Sequence, residues 1–358
     1  MSRVPLPIAD DRARPQGAAP LPGAPPLPRE IQVEVTGACN LRCRMCLVRY
    51  RPPLHRVSGS MSFETFRGIV DALPDLSTLT LQGLGEPLLA PDLFAMIEYA
   101  SARGVRMGFN TNATLLGRRQ AERLAGAGLA WLCFSIDGAR AETYEAIRDG
   151  ASFTKVEANV RGMVDVLRER GASRPDLSIV FVAMRRNVAE LPDMVRLAAD
   201  WGVPKLRVQN LSHSFDDTGP EAEYTEIIGF TAAEALWREG DAEGRALAEA
   251  SFAEARALAG RLGVALRLPS LGEGDRPARA RGAPGCDWPW RSSYVRHDGK
   301  VQPCCMLMGD GRAILGDARG AGFEGAWRGP AYGAFRAALL SDAPPDVCRG
   351  CSMYRGVF

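Results

Sequence analysis

The sequence predicts an α/β protein in which a parallel sheet, curled into a full or partial barrel, is followed by a small cysteine-rich domain. Six short apolar runs alternate with helix-length segments between residues 31 and 210, which is typical of repeated βα units. Residues 286–358 are rich in Gly and Trp and contain most of the nine cysteines. A segment this short needs a cross-link or a bound metal to stabilise its core, and we expect its cysteines to supply one.

Length and composition agree with a globular protein. At about 150 residues per domain, 358 residues correspond to roughly two domains. The 46% hydrophobic and 24% charged residues are typical of globular proteins and argue against a disordered or coiled-coil chain. The 44 Lys and Arg and 42 Asp and Glu leave a net charge of +2, which gives no support to nucleic-acid binding.

The cysteines are too few for a disulfide scaffold in a chain of this length. The N-terminus lacks the basic and apolar regions of a signal peptide, and no run approaches the roughly 18 apolar residues of a membrane-spanning helix. We therefore expect a cytoplasmic protein, without membrane partners, whose reduced thiols serve metal binding or catalysis.

The chain divides into four predicted segments. Residues 1–28 contain eight prolines and predict a disordered arm. Residues 29–210 carry the βα pattern of the barrel. Residues 211–285 lose that pattern and predict a helical extension, with a long helix over 243–262, followed by a short strand and a Gly/Pro/Arg-rich linker. Residues 286–358 form the cysteine-rich domain.

The barrel elements follow one another regularly. A serine at position 62 can cap the first predicted helix, and glycines end several others. In barrels of parallel strands the chemistry lies at the C-terminal ends of the strands. The predicted strands are 31–36, 78–83, 105–111, 131–137, 177–184 and 205–210, and the predicted helices are 63–73, 93–102, 117–128, 154–170 and 188–201.

Three cysteines follow the first predicted strand in a C-x3-C-x2-C loop: Cys39, Cys43 and Cys46. A zinc site usually has four ligands, and the loop contains no His or fourth Cys, although a zinc site or a redox pair remains an alternative. An iron–sulfur cube ordinarily takes four cysteines. Three cysteines would leave one iron open to a small molecule.

This loop resembles the defining motif of the radical S-adenosylmethionine (SAM) superfamily, which follows the first strand of a partial (β/α)6 barrel. The segments after later strands are also similar to those of the family. These are 83–87 (GLGEP, like GGEP), 110–113 (NTNA, like TNG with Ala113 in place of Gly), 135–138 (SIDG), Arg148, and 208–210 (VQN).

The resemblance implies a [4Fe–4S] cluster held by the three cysteines, with SAM bound to its open iron. It implies that Glu86 holds the amino group of SAM, because a carboxylate suits an ammonium, and that Arg148 suits the SAM carboxylate or ribose. The implied SAM contacts are Gly85, Glu86, Asn112, Ser135, Arg148 and Gln209.

A second set of four cysteines lies in the C-terminal segment: Cys286, Cys304, Cys348 and Cys351. Their arrangement resembles the shortened SPASM, or twitch, domain of radical SAM enzymes and implies one auxiliary [4Fe–4S] cluster. Cys305 is an alternative to Cys304, although the spacing from Gly299 favours Cys304, and a structural zinc ribbon is an alternative to the cluster. The further cysteines of a full SPASM domain do not follow, so we expect no second auxiliary cluster.

The resemblance implies a radical SAM oxidoreductase that cleaves SAM reductively and abstracts hydrogen from its substrate. By analogy, we expect alcohol dehydrogenation of a small polyhydroxylated metabolite in natural product biosynthesis, with the auxiliary cluster accepting the second electron. A radical SAM peptide maturase or epimerase is the enzymatic alternative, and a metal-binding regulatory protein is the non-enzymatic one.

Two further features concern proton and electron transfer. His213, after the sixth predicted strand, is a candidate proton acceptor, although a histidine in a polar loop is more often simply solvated. The arginines between positions 42 and 56 form a positive stretch that could dock an acidic electron donor such as flavodoxin or ferredoxin or attract an anionic substrate, and a solvated basic loop is the alternative. Cys133 lies within an apolar strand and is expected to be a buried thiol.

Overall fold

The computed structural model describes residues 25–50, 59–211, 222–236, 241–271, 285–307 and 311–355. None of the helices within these ranges is long and apolar enough to cross a membrane. Residues 1–24 of the predicted disordered arm lie outside the described residues. Residues 25–28, assigned to that arm from sequence, contact the C-terminal domain, where the Trp327 indole Nε1 lies 3.3 and 3.2 Å from the carbonyl oxygens of Pro25 and Pro26.

Seven parallel strands form the barrel sheet, and the predicted α/β class is confirmed. Each strand pairs with the next one along the chain. The VALRLP run, predicted as a strand of the extension, supplies the seventh, which pairs with the sixth. The strands are β1 (Glu30–Val33), β2 (Thr78–Thr80), β3 (Arg106–Thr111), β4 (Trp131–Ser135), β5 (Asp176–Ala183), β6 (Lys205–Asn210) and β7 (Ala265–Arg267).

Three short strands of the C-terminal segment extend this sheet beyond β1. They are β8 (Tyr294–Val295), β9 (Lys300–Gln302) and β10 (Gly316–Asp317). β8 pairs in parallel with β1, while β9 joins β8 and β10 joins β9 in antiparallel pairs. The order is β10-β9-β8-β1-β2-β3-β4-β5-β6-β7, so β1 pairs with β8 rather than closing on β6 or β7, and the barrel is partial.

Fourteen helices accompany these strands in the described residues. They are α1 (Leu47–Tyr50), α2 (Phe63–Asp71), α3 (Leu93–Ser101), α4 (Arg118–Gly126), α5 (Ala141–Ile147), α6 (Phe153–Glu169), α7 (Leu191–Asp200), α8 (Ala222–Glu234), α9 (Ala242–Leu262), α10 (Trp288–Arg291), α11 (Gly322–Trp327), α12 (Pro330–Leu340), α13 (Asp346–Arg349) and α14 (Ser352–Arg355). Within the same part of the chain, three 3-10 helices span Pro87–Leu89, Val188–Glu190 and Cys305–Leu307.

The helix ends follow local chemistry. The Ser62 hydroxyl accepts a hydrogen bond from the Thr65 backbone N–H, which caps α2 as predicted. The helix predicted over 188–201 begins instead as a 3-10 turn. α7 starts at residue 191, with Pro192 in its first turn, where a missing N–H costs no helical hydrogen bond.

The strands place apolar side chains outward under the helices and carry most of their polar side chains on the inward face. On β6, Leu206 and Val208 are buried in the core under the surrounding helices. Because side chains alternate along a strand, Arg207 and Gln209 face the interior of the barrel. The same alternation turns Gln32 and Glu34 inward at β1, so the polar face lies inside the barrel.

Candidate functional site

The three-cysteine loop lies between β1 and α1 and is held against the end of α5. The Arg42 N–H donates to the Asp149 carbonyl oxygen at 3.0 Å, and the Arg44 N–H donates to the Ile147 carbonyl oxygen at 2.9 Å. Cys43 is buried, and the other two cysteines are half-buried. All three pack in one apolar cluster with Leu41, Met45, Ile147, Met184 and Leu211.

This environment suits a bound cationic group. Burial raises the pKa of the Cys39 thiol to about 11 and also raises the pKa of Cys43. A bound metal reverses this preference, because its positive charge stabilises thiolates. The three soft sulfur donors in an apolar setting therefore fit an iron–sulfur cluster.

A single zinc ion and an iron–sulfur cube differ in the ligand spacing that they require. Within the described ranges, no group of three or more His, Cys, Asp or Glu side chains is arranged to hold a single metal ion. Sulfur ligands of a tetrahedral zinc ion lie only about 3.8 Å from one another. The sulfurs around a cube bind different irons and stand further apart, so the zinc and cluster alternatives require different ligand spacings.

Glu86 is buried beside the cysteine loop. Its Oε1 accepts hydrogen bonds from the Thr111 hydroxyl at 2.8 Å and the Leu88 N–H at 3.2 Å, and its Oε2 accepts one from the Asn112 N–H at 2.7 Å. Burial raises the pKa of this carboxyl despite these donors. A cationic partner would restore the electrostatic balance, which fits the ammonium group implied for this position.

Gly85 brings the Glu86 loop against the cysteine loop. A Cβ on Gly85 would lie 2.1 Å from the Thr36 carbonyl oxygen and 2.6 Å from that of Ala38. The next residue, Glu86, donates its N–H to the Ala38 oxygen at 2.8 Å. Only glycine allows this close approach of the two loops, and the predicted contact of Gly85 with SAM stays a prediction.

Asn112 joins the third strand to the cysteine loop. Its Nδ2 donates to the Asn40 Oδ1 at 3.0 Å and lies 3.9 Å from the Cys39 sulfur. Ala113, which stands where the family has glycine, has a φ of 60°. This is the left-handed conformation that explains the family's preference for glycine at this position.

Arg148 is buried between Asp137 and the cysteine loop. Its Nη2 pairs with the Asp137 Oδ2 at 2.6 Å, and its Nη1 lies 3.8 Å from the Cys43 sulfur. Its Nε is buried without a hydrogen-bond partner and remains an available donor. Asp137 belongs to the SIDG segment, but the sequence did not predict it as a site residue, because its ion pair depends on the turn after α5.

Ser135 and Gln209 lie on the inner face near the C-terminal ends of their strands. Ser135 is opposite Val180 of β5, and Gln209 is opposite Val182 of the same strand. Both are half-buried. Their direct contact with SAM stays a prediction.

The second cysteine set converges on one pocket. Cys304 is half-buried there, and removal of its thiol from water raises the thiol pKa. Cys305 does not line the pocket, which supports Cys304 as the ligand. The pocket is lined by Cys286, Trp288, Pro289, Cys304, Met306, Phe335, Leu339, Cys348, Cys351, Met353 and Tyr354.

Glu34 connects the two halves of the molecule and was missed by sequence reasoning. Its Oε2 accepts hydrogen bonds from the Leu84 N–H at 2.9 Å and the Tyr294 hydroxyl at 2.7 Å. Its Oε1 lies 2.5 Å from the His297 Nδ1. These partners lower the pKa of Glu34 although burial opposes them. One carboxylate thus joins the loop that carries Glu86 to the cysteine-rich domain.

Several predicted features lie elsewhere. His213 is outside the described residues, as are Arg51 and Arg56 of the positive stretch. Arg49 of that stretch pairs with Asp149 at 2.8 Å. Cys133 is buried as predicted, on the inner face of β4, where the Ser178 hydroxyl lies 3.0 Å from its sulfur.

Two family models match the chain. The radical SAM superfamily model matches residues 33–198, and the model of the SPASM iron–sulfur cluster-binding domain matches residues 286–352. The first match contains the three-cysteine loop, and the second contains the four-cysteine pocket. The radical SAM domain implies a [4Fe–4S] cluster that binds SAM, and the SPASM domain implies auxiliary cluster binding.

Known relatives agree with this assignment. Mycofactocin maturase MftC of Mycobacterium ulcerans is 33% identical over 202 residues, 56% of this chain and 51% of the maturase. The chain thus spans about half the length of that relative. AdoMet-dependent heme synthase of Nitratidesulfovibrio vulgaris is 26% identical over 355 residues, covering 95% of this chain and 89% of the synthase.

A solved structure shares the fold. SuiB of Streptococcus suis bound to S-adenosylmethionine superposes with a TM-score of 0.67 at 16% identity, covering 92% of this chain and 72% of SuiB. This likeness concerns the fold alone. On the two domain matches and the two cysteine sites they contain, the chain belongs to the radical SAM superfamily and carries a C-terminal SPASM domain.

Proposed function

We propose that this protein oxidises an organic substrate by two electrons, starting with hydrogen abstraction. When bound, the cluster and SAM supply a 5′-deoxyadenosyl radical as the abstracting species. The observation that carries the proposal is the convergence of Cys286, Cys304, Cys348 and Cys351 on one pocket. An auxiliary cluster with four cysteine ligands has no open iron for a substrate, which suits it to electron transfer.

The residues around the first cysteine loop would bind and orient SAM. Glu86 presents a buried carboxylate, held by three donors, to the SAM ammonium. Arg148 has a buried Nε without a partner that can donate to the SAM carboxylate or a ribose hydroxyl. Asp137 fixes the orientation of this guanidinium through the 2.6 Å ion pair.

The apolar cluster around the cysteines would protect the reaction from water. Leu41 and Leu211 are 1% and 2% exposed, and Met184 is fully buried. Their side chains contribute no exchangeable protons to the site. Exclusion of water and of stray hydrogen donors keeps a reactive species available for the substrate.

Two substrate classes follow from this proposal. The first is a small polyhydroxylated metabolite, oxidised at a carbinol carbon as expected from sequence. The second is a peptide, favoured by the relative named as a mycofactocin maturase. An acidic electron donor such as flavodoxin or ferredoxin remains the proposed reductant.

Metal analysis of anaerobically reconstituted protein tests the two-cluster basis of this function. We expect about eight irons per chain in the wild type and about four in Cys348→Ala, with Cys133→Ala as a cysteine-loss control that keeps about eight. Stoichiometric zinc with little iron would contradict the proposal.

Net oxidation is tested separately from hydrogen abstraction. With a turned-over substrate, oxidation should consume SAM without an added hydrogen donor, whereas an epimerase requires one. Cluster-loaded protein that forms no 5′-deoxyadenosine with SAM and dithionite would instead indicate a metal-binding regulatory protein.

A further inference from the structure

The interior of the barrel carries a cation that the SAM site does not use. Arg207 points inward from the middle of β6, because its neighbours Leu206 and Val208 are buried in the outer core. It is half-buried. Its positive charge acts on the Cys133 thiol, which points inward from β4. Arg207 and Cys133 therefore lie on the same inner face of the sheet.

The charge of Arg207 has no counter-ion among the residues that the structure describes. The neighbouring inward cation, Lys205, pairs with Asp176 at 3.4 Å. No described carboxylate lies within ion-pair distance of the Arg207 guanidinium. The strand β7 adds a further cation rather than an acid, since Arg267 is the register partner of Arg207 and shares its face. A half-buried charge without a partner is costly unless a ligand neutralises it.

Arg207 lies at the level of the predicted SAM contacts. It is opposite Val180 of β5, which is opposite Ser135 of β4. Gln209 is two positions further toward the mouth on the same face of β6. A group held by Arg207 would thus lie inside the barrel, level with Ser135 and below Gln209.

An aromatic side chain lies on the inner face near the N-terminal end of β4. Trp131 lies against Gly108 of β3, where a Cβ would be 2.4 Å from one ring atom of the indole. Both residues face inward, since Met107 and Leu132 next to them are buried in the outer core. The inner face of the sheet therefore combines an aromatic side chain on β4 with a cationic side chain on β6.

We propose that Arg207 binds a carboxylate or phosphate group of the substrate inside the barrel. This inference rests on the proposed function and narrows its substrate to an anionic one. The planar guanidinium can donate two parallel hydrogen bonds to either group, and a desolvated site strengthens such a pair. A neutral polyol would leave the charge of Arg207 uncompensated, so an acidic metabolite or a peptide carboxylate fits better.

Anion binding to the cluster-loaded, SAM-bound protein tests this assignment without turnover. Thermal unfolding is followed while succinate or inorganic phosphate replaces chloride at constant ionic strength. We expect a saturable rise in melting temperature for the wild type and a half-saturating concentration at least about tenfold higher for Arg207→Gln. The exposed-residue control Arg119→Gln should match the wild type. The probe that binds more tightly distinguishes a carboxylate from a phosphate ligand.

Other outcomes would overturn the proposal. These are equal stabilisation of the wild type and Arg207→Gln, no stabilisation of the wild type, or a tenfold loss of SAM affinity in the variant, which would place Arg207 in the SAM site. A structural role would lower the melting temperature of Arg207→Gln in chloride, whereas loss of an uncompensated charge should not. The more conservative Arg207→Lys should retain partial anion binding. Because no reductant is present, these results are independent of whether the proposed oxidation occurs.

Discussion

At the scale of single residues, the cofactor contacts implied by sequence are brought together, but the residues that support them were not foreseen. Glu86 and Arg148 both lie beside the cysteine loop, as expected from their motifs. Asp137 and Glu34 could not be assigned in the same way, because their partners are distant in the chain. Glu34 meets His297 and Tyr294 only after the C-terminal segment has folded back onto β1.

Asp137 should matter through its ion pair with Arg148. Asp137→Ala leaves a buried guanidinium without its carboxylate, which we expect to cost about 3 kcal/mol of unfolding free energy and to weaken SAM binding. Urea unfolding and SAM titration of the cluster-loaded protein measure the two effects. The matched control Asp193→Ala breaks half-exposed pairs and should cost less than about 1 kcal/mol. Equal losses in the two variants would show that burial of the Asp137 pair is unimportant.

At the scale of elements, hydrophobic alternation predicted the six barrel strands and most helices to within a few residues. The ends were less predictable, since strand termini depend on pairing with neighbours that the local pattern does not contain. The run VALRLP was predicted as a strand. Its pairing with β6 as strand β7 could not be predicted, because that pairing depends on where α9 returns the chain. Likewise, the open edge at β1 is explained only by its pairing with β8.

The loop after β2 should tolerate no side chain at Gly85. Gly85→Ala would drive a methyl group into the Thr36 carbonyl, so we expect the loop to shift and SAM affinity to fall by at least about tenfold. Gly68→Ala is the control, because Gly68 lies within α2 with open space around it, and alanine there should stabilise the protein by about 0.5–1 kcal/mol. Calorimetric SAM titration would refute the packing argument if Gly85→Ala binds SAM like the wild type.

At the scale of the whole molecule, one carboxylate links the two cofactor regions. Glu34 accepts hydrogen bonds from the loop that carries Glu86 and from the domain that carries the second cysteine set. The three-cysteine loop and the second cysteine set could both be predicted from the spacing of their cysteines. Their mechanical connection could not, since it arises from the extension of the barrel sheet by β8.

Removal of this link should destabilise both regions together. Glu34→Ala leaves the Leu84 N–H, the Tyr294 hydroxyl and His297 without their buried acceptor, and we expect a loss of about 3 kcal/mol. Glu34→Gln keeps one acceptor oxygen and should lose less. Unfolding followed by cluster absorbance should show the loss of stability, and SAM titration should show a loss of SAM affinity. A fully stable Glu34→Ala protein with unchanged SAM affinity would contradict the link.

The central claim, that the three-cysteine loop supports radical SAM chemistry, is tested most directly by 5′-deoxyadenosine formation. Wild type, Cys43→Ala and Cys133→Ala are put through the same cluster reconstitution and then incubated anaerobically with SAM and dithionite. The nucleoside is quantified by chromatography. We expect 5′-deoxyadenosine from the wild type and Cys133→Ala and none above background from Cys43→Ala. Equal product from Cys43→Ala, or none from the cluster-loaded wild type, would contradict the claim.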